Sequence, residues 1–391
     1  MARARKTAAK QPPTPAKGSS STSDTDVPKI RKARSINWAS RVIAVALLAP
    51  IVVVARHALR VPQDSLNSFA GRYPLKTTYT GFEPVDGFLA KLVSAFSYIL
   101  AGDEPNTKAQ LMYFAPLLGV TLMLWTIEGW RRGNRTSLYG IAMQIFGVGL
   151  VAPIYFILSI LSDRGDALEI VVPPQIAKSA FPATIISFAI PTFLMLVPTS
   201  DVELRQNIIA SWQPSPLTLA VLTTFLGVVI KQASSGTAPT NPMAKTTQES
   251  AAPVVNPLPT LKFVYSLAFT LAFACHVVIL GYIVTEPELS LSGVFCNLPA
   301  PFDVWDLENP VKAMGIFMRY DLLLLTVSIL VFLAYNAYDL VHLGCVGSSE
   351  AINAVAYTAV GQVLVGPAAS YVGFWSWRES ALARKRLSVE V

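Results

Sequence analysis

KAQLMYFAPLLGVTLMLWTIEGWRRGNR, residues Lys108 to Arg135, sets nineteen uncharged residues from Ala109 to Ile127 ahead of one carboxylate, Glu128, and three arginines close behind it. A helix of that length rises about 28 Å at 1.5 Å per residue, close to the ~30 Å hydrocarbon core of a bilayer. The arginines mark the cytoplasmic side. The stretch therefore predicts a membrane span with an acid at its exit. About one turn inside the boundary, an ionised carboxylate is costly unless it is paired or faces a wet or protein-lined cavity. Two readings of Glu128 follow: an interfacial acid paired with Arg131 or Arg132 at i+3 or i+4, or a buried functional acid that meets partners from other spans.

The rest of the chain has the same character. It is 391 residues long, 52% hydrophobic and only 14% charged, with a mean hydropathy of +0.47. Soluble domains average roughly 25% charged. The net charge of +7 is not a nucleic-acid signal, because ten of the 31 Lys and Arg residues fall in the first 41 positions and four more follow the last apolar run. Topology accounts for that excess. Cys275, Cys296 and Cys345 have neither an even count nor metal-binding spacing, so no disulfide framework or zinc site is implied.

Residues 1–35 are basic, rich in Ser, Thr and Pro, and too poor in large apolar residues to fold, which reads as a disordered cytoplasmic tail. Apolar runs predict eight spans: about Trp38 to Ala55, the Lys108 stretch, Leu138 to Leu161, Ser179 to Val197, Leu217 to Ile230, Leu261 to Val284, Tyr320 to Val341, and Ile352 to Trp375. PVDGFLAKLVSAFSYIL, opened by Pro84, adds an amphipathic interfacial helix. The expected fold is thus an all-α polytopic membrane bundle. Residues 36–230 carry spans 1–5, 231–260 form a flexible linker on the non-cytoplasmic face, 261–377 carry spans 6–8, and 378–391 form a second basic cytoplasmic tail. An even span count and the Lys/Arg distribution put both termini in the cytoplasm and Cys345 on the opposite face.

Ionisable residues inside spans are functional candidates. Asp321 opens the seventh span and Asp339 closes it, about 27 Å apart. Counting spans puts Asp321 at the depth of Glu128 and Asp339 near the far interface, paired with His342 at i+3. Asp321 can equally be a first-turn acid complementing the helix dipole. His276, within the sixth span, reads as a neutral packing histidine or a proton relay. Trp125, Phe146 and Tyr155 are placed to stabilise a cation through their ring faces, whereas Trp130, Trp375 and Trp377 suit an interfacial aromatic belt. No acidic metal-binding pair lies within a span, and HExxH, GxSxG and Walker motifs are absent, so neither a metal site nor a cofactor is called for. Asp303, Asp306 and Glu308 read as a solvated turn.

Three short motifs, EGWRRGN at Glu128 to Asn134, FMRYD at Phe317 to Asp321 and GPAASYVGFWSWRE at Gly366 to Glu379, resemble those of fungal transmembrane terpene cyclases of meroterpenoid pathways, of the ascochlorin and ascofuranone type. That resemblance implies acid-initiated, metal-independent cyclisation of a prenyl chain or its terminal epoxide, with buried carboxylates falling on Glu128 and Asp321. One carboxyl would stay protonated as general acid and the other would take up the released proton, whereas Arg131, Arg132 or Arg319 holding both acids ionised would defeat the mechanism. The implied partners are a hydrophobic isoprenoid, the lipid bilayer of the endoplasmic reticulum and pathway enzymes, with no nucleic acid. A transporter or channel is the rival class, and it would place polar residues at midplane on several spans where His276 stands nearly alone. A non-catalytic scaffold for pathway enzymes is the third, and it would leave the acids as plain interfacial pairs.

Overall fold

The computed structural model describes residues 38–60, 75–101, 104–132, 136–162, 168, 171–235, 257–301 and 310–390. These form helices α1 (Trp38–Ala58), α2 (Glu83–Ala101), α3 (Pro105–Arg132), α4 (Thr136–Phe146), α5 (Val148–Ser162), α6 (Pro174–Leu196), α7 (Val202–Trp212), α8 (Ser215–Ser235), α9 (Leu258–Thr285), α10 (Leu291–Phe295), α11 (Pro310–His342), α12 (Ser348–Leu364) and α13 (Pro367–Glu390). No strand occurs among the described residues, so the expected helical membrane bundle is the architecture found. Six helices, α1, α3, α6, α8, α9 and α11, are long and apolar enough to cross a membrane. Outward-facing side chains such as Val278, Val284 and Val363 are exposed and apolar. That pattern suits a lipid environment and would be a liability in water.

The count of eight spans is not what the helices give. Two of the eight apolar runs fold back on themselves. Gly147, at φ +82°, separates α4 from α5. Tyr139 and Tyr155, which a straight helix would hold about 24 Å apart, meet with ring centroids 5.1 Å apart. The run from Leu138 to Leu161 is therefore an antiparallel hairpin. Gly366, at φ +89°, divides α12 from α13 in the same way, and Trp377 Nε1 donates to Glu350 Oε1 at 3.1 Å across that second hairpin. At both turns the left-handed backbone conformation is open to glycine at little steric cost.

Contacts order the helices between two ends of the bundle. Thr107, at the start of α3, lies against Gly315 at the start of α11, while Phe332 of α11 lines the same cavity as Glu128. α3 and α11 therefore run parallel, not antiparallel as the span count required. α5 runs with them, because its first turn meets Asp321 and the carbonyl of Leu161, in its last turn, accepts from Arg41 Nη1 at 3.5 Å. Arg386 Nε donates to Leu168 O at 2.8 Å, bringing the C-terminal helix to the same end as the start of α1. α9 runs the other way, with His276 reaching Tyr113 near the start of α3. The described flanks of the 231–260 segment accordingly lie at the Glu128 end, as does Cys345, which packs with Ala381 and Leu382 of α13.

The amphipathic helix α2 packs on α7 through Phe96 and Trp212, with centroids 5.1 Å apart. Its first turn is fixed by Asp86, whose carboxylate accepts from Thr80 N, Thr80 Oγ1 and Gly81 N at 2.7, 2.8 and 3.0 Å. Burial alone would push that carboxyl up, but these hydrogen bonds outweigh it and hold it below the ordinary value. α6 contains one π turn, Ile185–Ala189. Pro182 and Pro191 flank it, each lacking the N–H that an unbroken α ladder needs. The boundary drawn at residue 378 falls inside α13, where Arg378, Glu379, Ala381 and Leu382 are all buried.

Candidate active site

Glu128 lies in the last turn of α3 and is 5% exposed. Its Oε1 accepts from Trp375 Nε1 at 3.2 Å. Arg131, one turn on, brings Nε to 3.6 Å of the same oxygen, and Arg378 of α13 brings Nη1 to 3.9 Å. A second carboxylate completes the cluster. Glu379 Oε1 accepts from Arg131 Nη2 at 2.8 Å and from Arg378 Nη1 at 3.1 Å. All four side chains are at most 7% exposed. Two carboxylates and two guanidinium groups balance in charge, which is how such a cluster can be buried at all. Arg378 is aligned further by Asn336, whose Oδ1 accepts from its Nε at 3.2 Å, and by the Trp375 ring 4.9 Å beneath it.

The pairing of Glu128 with Arg131 that helix spacing allows is therefore realised, but in the core and not at an exposed interface. Within the cluster the two carboxylates are unequal. Glu379 takes the short bonds to both arginines, and Glu128 stands further from each. Glu128 is also the acid that faces a cavity. Trp125, Tyr155, Phe332, Tyr371 and Trp375 wall that cavity beside it. Trp125 and Tyr155 lie 4.3 Å apart, and Phe332 stacks at 6.0 Å from Trp375. The open space is about 10 Å³, close to the room one water needs. An acid beside a wall of aromatic rings can exchange a proton with an apolar guest, and the rings can stabilise the cation that forms, each face contributing about 0.5–2 kcal/mol.

A larger apolar groove of about 350 Å³ lies between α3, α6 and α9, lined by Met112, Gly119 and Met123 of α3. Those residues occupy the face of α3 turned away from Trp125 and Glu128. Cys275 is its only ionisable lining residue, so this groove offers a guest no carboxyl group.

Asp321 does not join Glu128. It is buried at the other end of the bundle, where Oδ1 accepts from Gly149 N at 2.6 Å. Eleven residues of α11 separate it from Phe332 at the Glu128 cavity, about 17 Å of helix. The expectation that the two acids share a depth is corrected by the first hairpin, which returns the chain to the side it came from and reverses every later crossing. Asp339 lies instead at the Glu128 end, half-buried and three residues beyond Asn336. His276 Nε2 faces Val363 O at 3.2 Å and its Nδ1 faces Tyr113 OH at 3.1 Å. A neutral ring donating to the carbonyl and accepting from the phenol satisfies both, as a packing histidine should. Trp125 and Tyr155 are in the cavity, whereas Phe146 is 53% exposed beside the Gly147 turn and outside it. Trp375 is corrected the other way: assigned to an interfacial belt, it is 2% exposed and bonded to Glu128. Among the described residues no group of three His, Cys, Asp or Glu could hold a metal. Asp303, Asp306 and Glu308 lie outside the described residues.

Arg378, Glu379, Phe332 and Tyr371 were not singled out from sequence. Arg378, Glu379 and Tyr371 stand inside the GPAASYVGFWSWRE motif, and the available signal was an Arg–Glu pair closing an apolar run at the same end as Glu128.

An apolar helical bundle that buries a carboxylate against a wall of aromatic rings has the equipment of an enzyme for a hydrophobic, cation-forming substrate. The CtvD domain family matches residues 28–383, and the chain belongs to that family. It is 23% identical over 288 residues to terpene cyclase ascI of Acremonium egyptiacum, covering 69% of each chain. It is 31% identical over 155 residues to terpene cyclase janA of Penicillium janthinellum, covering 37% of this chain and 43% of that one. No solved structure matches. Family and relatives agree with the resemblance carried by the three motifs, and they support an enzyme of the terpene cyclase type.

Proposed function

We propose that the protein is an integral membrane terpene cyclase of a fungal meroterpenoid pathway, resident in the endoplasmic reticulum with its Glu128 end toward the cytoplasm. It folds a linear isoprenoid chain, or that chain's terminal epoxide, into rings without a metal. Glu128 gives its proton to the terminal alkene or to the epoxide oxygen. The carbocation that results is attacked by successive double bonds while Trp125, Tyr155, Phe332, Tyr371 and Trp375 face it. When a neighbouring carbon gives up a proton to the Glu128 carboxylate, the last double bond forms and the acid is restored. The net change is an isomerisation. Glu379 remains with Arg131 and Arg378 throughout, and a protonated Glu128 leaves one guanidinium charge unmet, which favours transfer of the Glu128 proton to the substrate.

The observation that carries this reading is the acid in the wall of a small cavity lined by aromatic rings. The cavity has room for about one water, so the walls must part to admit a prenyl chain. Glu128→Gln keeps the shape and removes the exchangeable proton. In microsomes supplied with a linear prenylated substrate, it should lower cyclisation per unit of accumulated protein by 10² or more, the usual worth of general acid catalysis. Residual turnover above a tenth of wild type would overturn the assignment.

A further inference from the structure

We infer that Asp321 is a positioning residue, which caps helix α5 from across the bundle and so fixes the α5 wall of the Glu128 cavity. The inference rests on the proposed function only in calling that cavity the reaction site. Four observations carry it. First, the carboxylate is aimed at a helix start: Asp321 Oδ1 accepts from Gly149 N at 2.6 Å, and Val148 N also bonds to it. The first amide groups of a helix have no partner within it, and an acid there satisfies them and complements the dipole. No residue of α5 itself supplies this cap, because the chain enters α5 through Gly147.

Second, the fit is close. A Cβ on Gly147 would come within 2.7 Å of Asp321 Oδ1. A Cβ on Gly149 would come within 2.9 Å of the Asp321 carbonyl oxygen and 3.1 Å of its Cα. The two glycines form a seat in which the start of α5 touches the α11 backbone. Third, α5 is buried on the face that packs on α1 and α11, through Val151, Ala152, Tyr155, Phe156 and Ile160, and both of its ends are tied. Arg41 holds the last turn through Leu161 O, and Asp321 holds the first. Fourth, the same rod carries Tyr155 and Ser159 into the cavity wall, about 9 and 15 Å along the axis from Gly149. A shift at Gly149 is delivered to Tyr155 as a shift of the aromatic wall.

An acid that acts chemically and an acid that positions a wall differ in what they tolerate. Asparagine keeps an oxygen for Gly149 N and loses only the charge, so Asp321→Asn should turn over within about fivefold of wild type. Asp321→Leu removes the acceptor. Two readouts separate positioning from loss of folded protein. The first needs no activity: with Cys275, Cys296 and Cys345 changed to Ser, a Ser159→Cys reporter is alkylated by a membrane-permeant maleimide in folded, detergent-solubilised protein. Asp321→Leu should raise that rate at least tenfold, and Asp321→Asn should not. The second is the ratio of fully cyclised to incompletely cyclised or water-quenched product, which a change in enzyme amount leaves untouched and a displaced wall lowers. Gly149→Ala leaves Asp321 in place and breaks the seat from the other side. It should reproduce both effects, and it carries the test if the leucine variant does not accumulate.

Unchanged reporter alkylation in Asp321→Leu and Gly149→Ala would overturn the inference. So would an Asp321→Asn enzyme as inactive as the leucine variant with its reporter still protected, since the acid would then be acting chemically. If the reporter responds as expected but wild-type protein cyclises nothing, the proposed function fails and the positioning role stands.

Discussion

Glu379→Gln tests how the buried charges are balanced. In wild type, Glu379 Oε1 holds Arg131 at 2.8 Å and Arg378 at 3.1 Å, while Glu128 Oε1 stands 3.6 and 3.9 Å from the same two groups. Removing the Glu379 charge leaves two guanidinium groups facing one more distant carboxylate, with side chains only 2% and 4% exposed. Breaking a buried pair by removing one partner costs about 3–5 kcal/mol, because the charge left behind is uncompensated. That corresponds to roughly two to three and a half decades in the folded-to-unfolded ratio at about 1.4 kcal/mol per decade. Adding Arg131→Met restores neutrality with one arginine and Glu128, so the double variant should recover most of the loss, as buried pairs replaced by apolar groups commonly do. The assay is denaturant unfolding of detergent-solubilised protein, read as a double-mutant cycle. A single variant within 1 kcal/mol of wild type, or a double variant no better than the sum of the singles, would refute the reasoning.

Two further outcomes follow from the same geometry. Cys345 packs with Ala381 and Leu382 of α13, so an impermeant thiol reagent should reach it from the same side of sealed vesicles as a C-terminal tag, and labelling from the opposite side would refute the hairpin topology. The second hairpin should be acid-sensitive: hydrogen bonds from Arg384 and from Trp377 hold the Glu350 carboxyl below its ordinary value. A carboxyl lowered by folding contributes stability above its unfolded value, about 4.3, and loses it as pH falls through the lower folded value. Hydrogen exchange in α12 and α13 should therefore rise below about pH 4 in wild type, while Glu350→Gln shows less pH dependence, and identical profiles would remove Glu350 from the account.

How much of this could be read from sequence is decided at two glycines. Hydropathy reports that a run is apolar, and it does so equally for one crossing and for two half-length helices folded together. Gly147 and Gly366 carried the missing information: a glycine in an apolar helix costs only about 1 kcal/mol and need not announce a turn, as at Gly147, whereas Gly366-Pro367 is a turn dipeptide that the span count passed over. Each doubled run was expected to cross, and two errors of parity cancel at the chain ends. That is why the termini fall on one side by either count. Between the two turns nothing cancels. The spans α6, α8, α9 and α11 are each reversed relative to the expectation, which moves Asp321 away from Glu128 and brings Asp339 to its end. What survived depends on shorter-range relations: Glu128 with Arg131 one turn on, Trp125 on the same α3 face, and His276 as a satisfied packing residue. Glu379 was passed over because an acid after an arginine at the end of an apolar run looks like the start of a solvated tail. Once α13 descends beside α3, that acid meets Arg131 through the core. The same reversal leaves Asp321 with a helix start to cap, and so separates, along one helix, the acid that faces the cavity from the acid that holds its wall.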